Sequence, residues 1–203
     1  MAERRPSGLI LNGGAARRME GADKAWLEVD GEAIAERQLR TLRSLCDEVA
    51  IVVGQSGAAG ALEIPVLVDV VGGKGPMDGI AAGLRWSPSE WLLVLAGDMP
   101  RVEAALLRRL LRERRPGLAA IAPRALGRIQ PLVACYHRSL LPAMLERLEQ
   151  GNLSVTGLFS DPPATSTVRL VGEEDVRMVD PELRSFENWN RPKEVLRSDG
   201  RIE

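Results

Sequence analysis

The residues with the clearest chemical potential lie near the start of the chain, in Leu9-Ile10-Leu11-Asn12-Gly13-Gly14-Ala15-Ala16-Arg17-Arg18-Met19, with Asp23-Lys24 shortly after. An apolar run stops at paired glycines and cations follow. Gly13 and Gly14 let the backbone approach a ligand with no Cβ in the way. Arg17, Arg18 and Lys24 can then neutralise an anionic group. This combination points to a nucleotide or another phosphorylated ligand; a tight Gly-Gly turn with surface arginines is the plainer alternative. Two familiar labels for such a loop fail. A P-loop closes on Gly-Lys-Ser/Thr, whereas Gly14 runs into Ala-Ala-Arg, and no G-x-G-x-x-G pattern accompanies it.

Three further places carry chemistry. Asp98 closes the apolar run Leu92-Leu93-Val94-Leu95 through Ala96-Gly97, and Met99-Pro100 follows. A carboxylate at a buried strand's end, beside residues too small to shield it, suits Mg²⁺, which takes one or two protein carboxylates and fills its shell with water and phosphate oxygens. Helix capping is the competing explanation. Asp69 follows Val66-Leu67-Val68 and precedes Gly72-Gly73-Lys74-Gly75-Pro76, a glycine-rich stretch suited to lie over a base or ribose, or else a turn before a helix. Near the C-terminus, Phe186-Glu187-Asn188-Trp189-Asn190-Arg191-Pro192 sets Asn188 and Asn190 on one side of an extended segment. Two amides can read a heterocycle; Asx-turn and capping chemistry are the alternative.

The elements that must position these residues alternate along the chain. Strand patterns cover 8–12, 49–53, 66–68, 91–95, 118–122 and 132–136, and helical patterns cover 34–45, 78–86, 103–115 and 140–149. Continuous apolar strands separated by helices imply a parallel sheet covered on both faces. Ligands in such sheets lie beyond the strands' carboxyl ends, where Asn12, Asp69 and Asp98 fall. The 203 residues suit a single domain, with 1–7 and 197–203 expected to fray. A net charge of −1 gives no support to nucleic-acid or membrane-surface binding. No run of apolar residues reaches membrane-spanning length, and no apolar segment of a signal peptide follows Met1, so a cytoplasmic protein is the expectation. Cys46 and Cys135 read as buried, reduced thiols, and the single histidine, His137, as a strand-end surface residue.

Together these motifs resemble the molybdenum cofactor guanylyltransferase (MobA) family. The stretch Leu11 to Lys24 matches the family's L-A-G-G-x-x-x-R-M-x-G-x-D-K. Asp69 with Gly75-Pro76-Met77-Asp78-Gly79-Ile80 resembles D…G-P-L-x-G-[IM], and Gly97-Asp98-Met99-Pro100 resembles C-D-x-P. Gln130-Pro131-Leu132 resembles a mid-chain block, and Phe186 to Glu194 resembles F-x-N-x-N-T-P-E-E. The resemblance implies a three-layer, Rossmann-like nucleotidyltransferase α/β fold with a mostly parallel central sheet. It implies transfer of GMP from GTP to molybdopterin, with Mg²⁺ as cofactor and release of pyrophosphate. Leu11, Asn12, Gly13 and Gly14 would then meet the guanine nucleotide, Lys24 its phosphates and Asp69 its nucleoside side. Asp98 would hold metal and nucleotide, Asn188 and Asn190 would face the pterin, and Arg17 would join Lys24 in steadying the leaving pyrophosphate. Molybdenum-insertion proteins or acceptor molybdoenzymes are the implied protein partners. Asn12 stands where the family carries alanine, and Arg191 where it carries threonine. Cytidylyl transfer, transfer to a sugar or polyol phosphate, and a non-catalytic nucleotide- or pterin-binding protein remain as rival readings.

Overall fold

The computed structural model describes residues 4–12, 28–53, 62–70, 72 and 75–188. In chain order these form β1 (Ser7–Asn12), the short strands β2 (Glu28–Val29) and β3 (Glu32–Ala33), α1 (Ile34–Arg43), β4 (Val49–Val53), β5 (Val66–Leu67), α2 (Pro76–Trp86), β6 (Trp91–Ala96), α3 (Ala104–Leu111), β7 (Leu118–Ala125), β8 (Arg128–Ile129), β9 (Val133–His137), α4 (Leu141–Glu149), α5 (Gly157–Ser160), β10 (Thr167–Val171) and α6 (Glu173–Arg177). One sheet runs in the order β10-β7-β9-β6-β1-β4-β5, with β8 paired to β7, and β2-β3 forms a separate hairpin.

The strands' period of two divides the apolar residues between two cores. On one face, Ile10, Ile51, Leu93, Leu95, Ile121 and Cys135 pack with Leu39 and Leu42 of α1 and Leu106, Leu107 and Leu110 of α3. On the other, Leu9, Leu11, Val52, Leu92, Val94 and Tyr136 pack with Met77, Ile80 and Leu84 of α2 and Met144 and Leu148 of α4. This gives the expected three layers. Strand β1 pairs in parallel with β4 and β6, as β4 does with β5 and β7 with β10. The sheet is mostly parallel, as expected; the long strand that departs from this is β9, antiparallel to both β6 and β7. Only the β8 hairpin, turning at Leu126 and Gly127 with φ of 54° and 72°, leads from β7 towards β9, too short a connection for a crossover.

Several expected boundaries shift. Helix α1 ends at Arg43 rather than 45, α3 occupies Ala104–Leu111 rather than 103–115, and α2 begins at Pro76, with Gly75 (φ 82°) as its N-cap residue. Residues 5–7 are held rather than frayed: the Arg5 guanidinium donates to Leu45 O and Ser44 O, Pro6 O accepts from Asp47 N–H, and Ser7 opens β1. Strand β10 and helices α5 and α6 went unread in the sequence.

Helix α2 lies very close to the sheet. A Cβ on Gly83 would come 2.6 Å from Leu9 Cδ2 and 2.8 Å from Leu92 Cδ2, both fully buried. Gly83→Ala is therefore expected to cost about 1–3 kcal/mol through overpacking, lowering Tm by about 2–4 °C per kcal/mol. An unchanged melting curve would show that α2 can lift off the sheet freely.

A second anchor is Glu113, just past α3, which binds Arg109, Arg115 and Arg169 of β10. The Arg109 hydrogen bond holds its carboxyl below the ordinary range against the opposing effect of burial, and the Arg169 hydrogen bond adds to the lowering. A depressed folded value means stability that is present above the unfolded value of ~4.3 and lost as pH falls through the folded one. Glu113→Gln is expected to cost about 1–2 kcal/mol at neutral pH, with the gap to wild type closing in acid. Denaturant unfolding at several pH values checks this; a gap that persists in acid contradicts it.

Candidate active site

Strands β1 and β6 lie side by side in parallel, with Leu11 opposite Ala96. From β1 the chain passes through α1 to β4, and from β5 it passes through α2, on the opposite face, back to β6. The sheet thus reverses its winding between β1 and β6, and the crevice beyond their carboxyl ends is the favoured ligand position in folds of this kind.

The two strand ends are locked together. Gly97 N–H donates to Leu11 O at 2.9 Å. A Cβ on Gly97 would fall 3.1 Å from that same oxygen and 3.3 Å from Asn12 Oδ1, so any other side chain would push the strand ends apart. The next residue is Asp98, half-buried. The capping explanation for Asp98 drops out, because α3 starts at Ala104 with Glu103 as its N-cap residue. The turn gains a third support from α1. Gln38, only 2% exposed, donates its Nε2 hydrogens to Ala96 O at 2.6 Å and Met99 O at 2.9 Å.

Asp69 stands two residues past β5, half-buried, and Gly79 of α2 brings it towards β1. A Cβ at Gly79 would lie 2.8 Å from Leu11 Cδ2, 3.3 Å from Val52 Cγ1 and 3.7 Å from Asp69 Oδ1. Asp69 does not cap α2, whose N-cap residue is Gly75. Leu11 is itself buried under α2, so any ligand contact from it runs through its backbone.

Asn188 is exposed, and the segment before it docks on the stretch that follows Asp98. Glu187 pairs with Arg101 at 3.5 Å, and Ser185 Oγ accepts from Glu103 N–H at 3.0 Å. The buried Asp180 shapes this segment by accepting from Arg184 N–H and Ser185 N–H, each at 3.0 Å. Asn12, Asp69, Asp98 and Asn188 therefore all belong to the carboxyl edge of the sheet. Gly13, Gly14, Arg17, Lys24, Asn190 and Arg191 lie outside the described residues, as does the 197–203 stretch expected to fray. Gln38, Asp180 and Ser185 were missed in the sequence, where each reads as an ordinary polar residue.

The remaining reactive groups stand apart from this edge. His137 pairs with Trp91, at the opposite end of β6, about 17 Å of strand away from Ala96. Its ring is edge-on to Trp91 with centroids 5.1 Å apart; burial lowers its pKa against the raising effect of Glu90, and it is only partly at the surface. Burial pushes the Cys46 and Cys135 thiols up to about 12, which leaves them unreactive. Among the described residues no group of three or more His, Cys, Asp or Glu side chains could hold a metal ion, and no helix is long and apolar enough to cross a membrane.

Fold and site define an α/β nucleotidyltransferase, with strand-end carboxylates gathered at one switch point. The chain belongs to the family of the MobA-like NTP transferase domain, whose model matches residues 8–161. A molybdenum cofactor guanylyltransferase of Desulfosudis oleivorans is 28% identical over 197 residues, spanning 97% of this chain and 96% of the relative. A probable molybdenum cofactor guanylyltransferase of Methanosarcina mazei is 35% identical over 200 residues, spanning 93% and 88%. The crystal structure of molybdopterin-guanine dinucleotide biosynthesis protein A from Archaeoglobus fulgidus superimposes with a TM-score of 0.76 at 26% identity, covering 95% of this chain and 96% of that one.

Proposed function

We propose that this enzyme transfers GMP from GTP to molybdopterin, forming the guanine dinucleotide and releasing pyrophosphate. The observation that carries the reading is the junction of β1 with β6. It sets Asn12 beside the Asp98 turn, and the Arg101–Glu187 pair draws the segment bearing Asn188 to the same turn. The names of the relatives supply the substrate pair.

In this reading the nucleotide lies over the β1, β4 and β5 ends, between Asp69 and the Gly13-Gly14 loop, and the pterin over the β6 side, facing Asn188 and Asn190. A phosphate oxygen of the pterin forms a bond to the α-phosphorus of GTP, and the bond from that phosphorus to the β-phosphate bridging oxygen breaks. A phosphate monoester is already largely ionised near pH 7, with a second pKa of about 6. The nucleophile therefore needs no general base, and the remoteness of His137 is no obstacle. What the chain must supply is orientation and charge neutralisation. Arg17 and Lys24 hold charge on the departing pyrophosphate, and Asp69 fixes the nucleoside.

The donors Asp98, Asp69 and Asn12 Oδ1 are hard oxygens, the chemistry Mg²⁺ prefers, and one or two carboxylates suffice for that ion. Asp98 would hold it. When bound, it neutralises phosphate charge. A cytoplasmic setting, with GTP and molybdopterin as small-molecule partners and molybdenum-insertion proteins or acceptor molybdoenzymes as protein partners, belongs to the same proposal.

The test is incubation with molybdopterin, molybdate, Mg²⁺ and each of GTP, CTP and UTP, with detection of the dinucleotide. A guanine dinucleotide with stoichiometric pyrophosphate supports the assignment. A cytosine dinucleotide, or nucleotide binding with no pyrophosphate, overturns it.

A further inference from the structure

We propose that Gln38 is a positioning residue for Asp98: its buried amide clamps the Ala96–Met99 turn from below and fixes where the Asp98 carboxylate stands. The inference rests on the metal- and nucleotide-binding role proposed above for Asp98.

The geometry is specific. Gln38 sits on α1, 58 residues in sequence from Ala96 and 61 from Met99, and donates from a single Nε2 to both of their carbonyls. Those two carbonyls bracket Gly97 and Asp98. The turn's own backbone bond, Met99 N–H to Ala96 O, is long at 3.4 Å. The side-chain amide thus supplies the shorter hydrogen bonds across the turn. Gly97 N–H to Leu11 O ties the front of the turn to β1, and Gln38 ties both ends to α1.

A side chain that merely filled this space would be apolar. Gln38 is surrounded by core, and its Oε1 is buried with no hydrogen-bond partner among the described residues. Leaving a buried acceptor unbonded is costly. The position tolerates that cost while both Nε2 hydrogens go to the turn that carries Asp98. Groups that orient a metal-binding carboxylate from behind matter to metal affinity about as outer-shell partners generally do, with losses of about 10–100-fold on removal.

The test uses the full chain and Mn²⁺ as the probe. Gln38→Met keeps the length of the side chain and removes both donors. In the presence of GTP, Mn²⁺ binding followed by electron paramagnetic resonance is expected to weaken by about 10–100-fold, while GTP affinity measured in EDTA stays at the wild-type value. Turnover should fall with little change in KM for GTP. In an Asp98→Ala background, Gln38→Met should weaken Mn²⁺ binding no further. If Gln38→Met does not fold, Gln38→Leu, which likewise removes both donors and introduces no buried charge, gives the same readouts. A drop in Tm with wild-type Mn²⁺ affinity would show that Gln38 serves packing alone and overturn the proposal. Wild-type Mn²⁺ affinity in Asp98→Ala itself would instead remove the role of Asp98, and this inference with it.

Discussion

Asp98→Asn is expected to lower turnover by about 10²–10⁴-fold, or ~3–5 kcal/mol of transition-state stabilisation, the scale on which charge neutralisation at a phosphoryl group acts. The substitution preserves size and removes the negative charge that a divalent cation would need. The turn is held by Gly97 N–H on Leu11 O and by Gln38 on Ala96 O and Met99 O, and the change touches none of these bonds. Asp98 is also not the N-cap of α3. The melting temperature should therefore stay close to wild type while pyrophosphate release collapses. Pyrophosphate release at saturating GTP and molybdopterin, measured beside a thermal melt, separates the two. Turnover within a few-fold of wild type would mean that another group does the work assigned to Asp98.

The positions of Asn12, Asp69 and Asp98 were legible in the sequence because each is a polar residue ending an apolar run, and the sheet carries all such ends to one edge. What surrounds them was not. Gln38 stands in Glu36-Arg37-Gln38-Leu39-Arg40, where a glutamine among charges reads as solvent-facing; only the packing of α1 on the sheet turns it inward. Gly79 and Gly97 were visible as glycines, but the reason for each lies in atoms distant in sequence, Leu11 Cδ2 for one and Leu11 O for the other. The reversal at β9 was hidden because a strand buried on both faces has the same apolar composition in either direction. The turn before it, Leu126-Gly127, lacks the Asn-Gly or Asp-Gly pair that marks a tight hairpin. Strand β10 went unread for a related reason: Thr-Val-Arg-Leu-Val is an edge strand, mostly half-exposed, with little contrast between its faces. Docking of the segment before Asn188 depends on Asp180 and Ser185 bonding backbone N–H groups, which no periodicity announces.

Lys24→Ala carries the second large expected effect, a loss of about 10²–10³ in turnover, the scale of one charged contact on a developing oxyanion. Both reactants are anions, and the described carboxyl edge adds Asp69 and Asp98 to that charge. Arginines are present nearby: a cleft of about 440 Å³ beside Pro100 is lined by Arg37, Arg40, Arg101 and Arg184. Each of them is already paired with a carboxylate, Arg37 with Asp30 and Glu32, Arg40 with Glu32, Arg101 with Glu187 and Arg184 with Glu182. Their charge is shared with those carboxylates, and in the proposed function neutralising the triphosphate is assigned to the cations of the 13–27 segment, Arg17, Arg18 and Lys24. Lys24→Arg should recover part of the loss, because it restores charge while replacing a compact ammonium with a planar fork of different reach. Single-turnover pyrophosphate release with saturating GTP checks both variants. Full activity in Lys24→Ala would remove Lys24 from the charge-neutralising role and leave that role to Arg17, Arg18 or the paired arginines of the cleft.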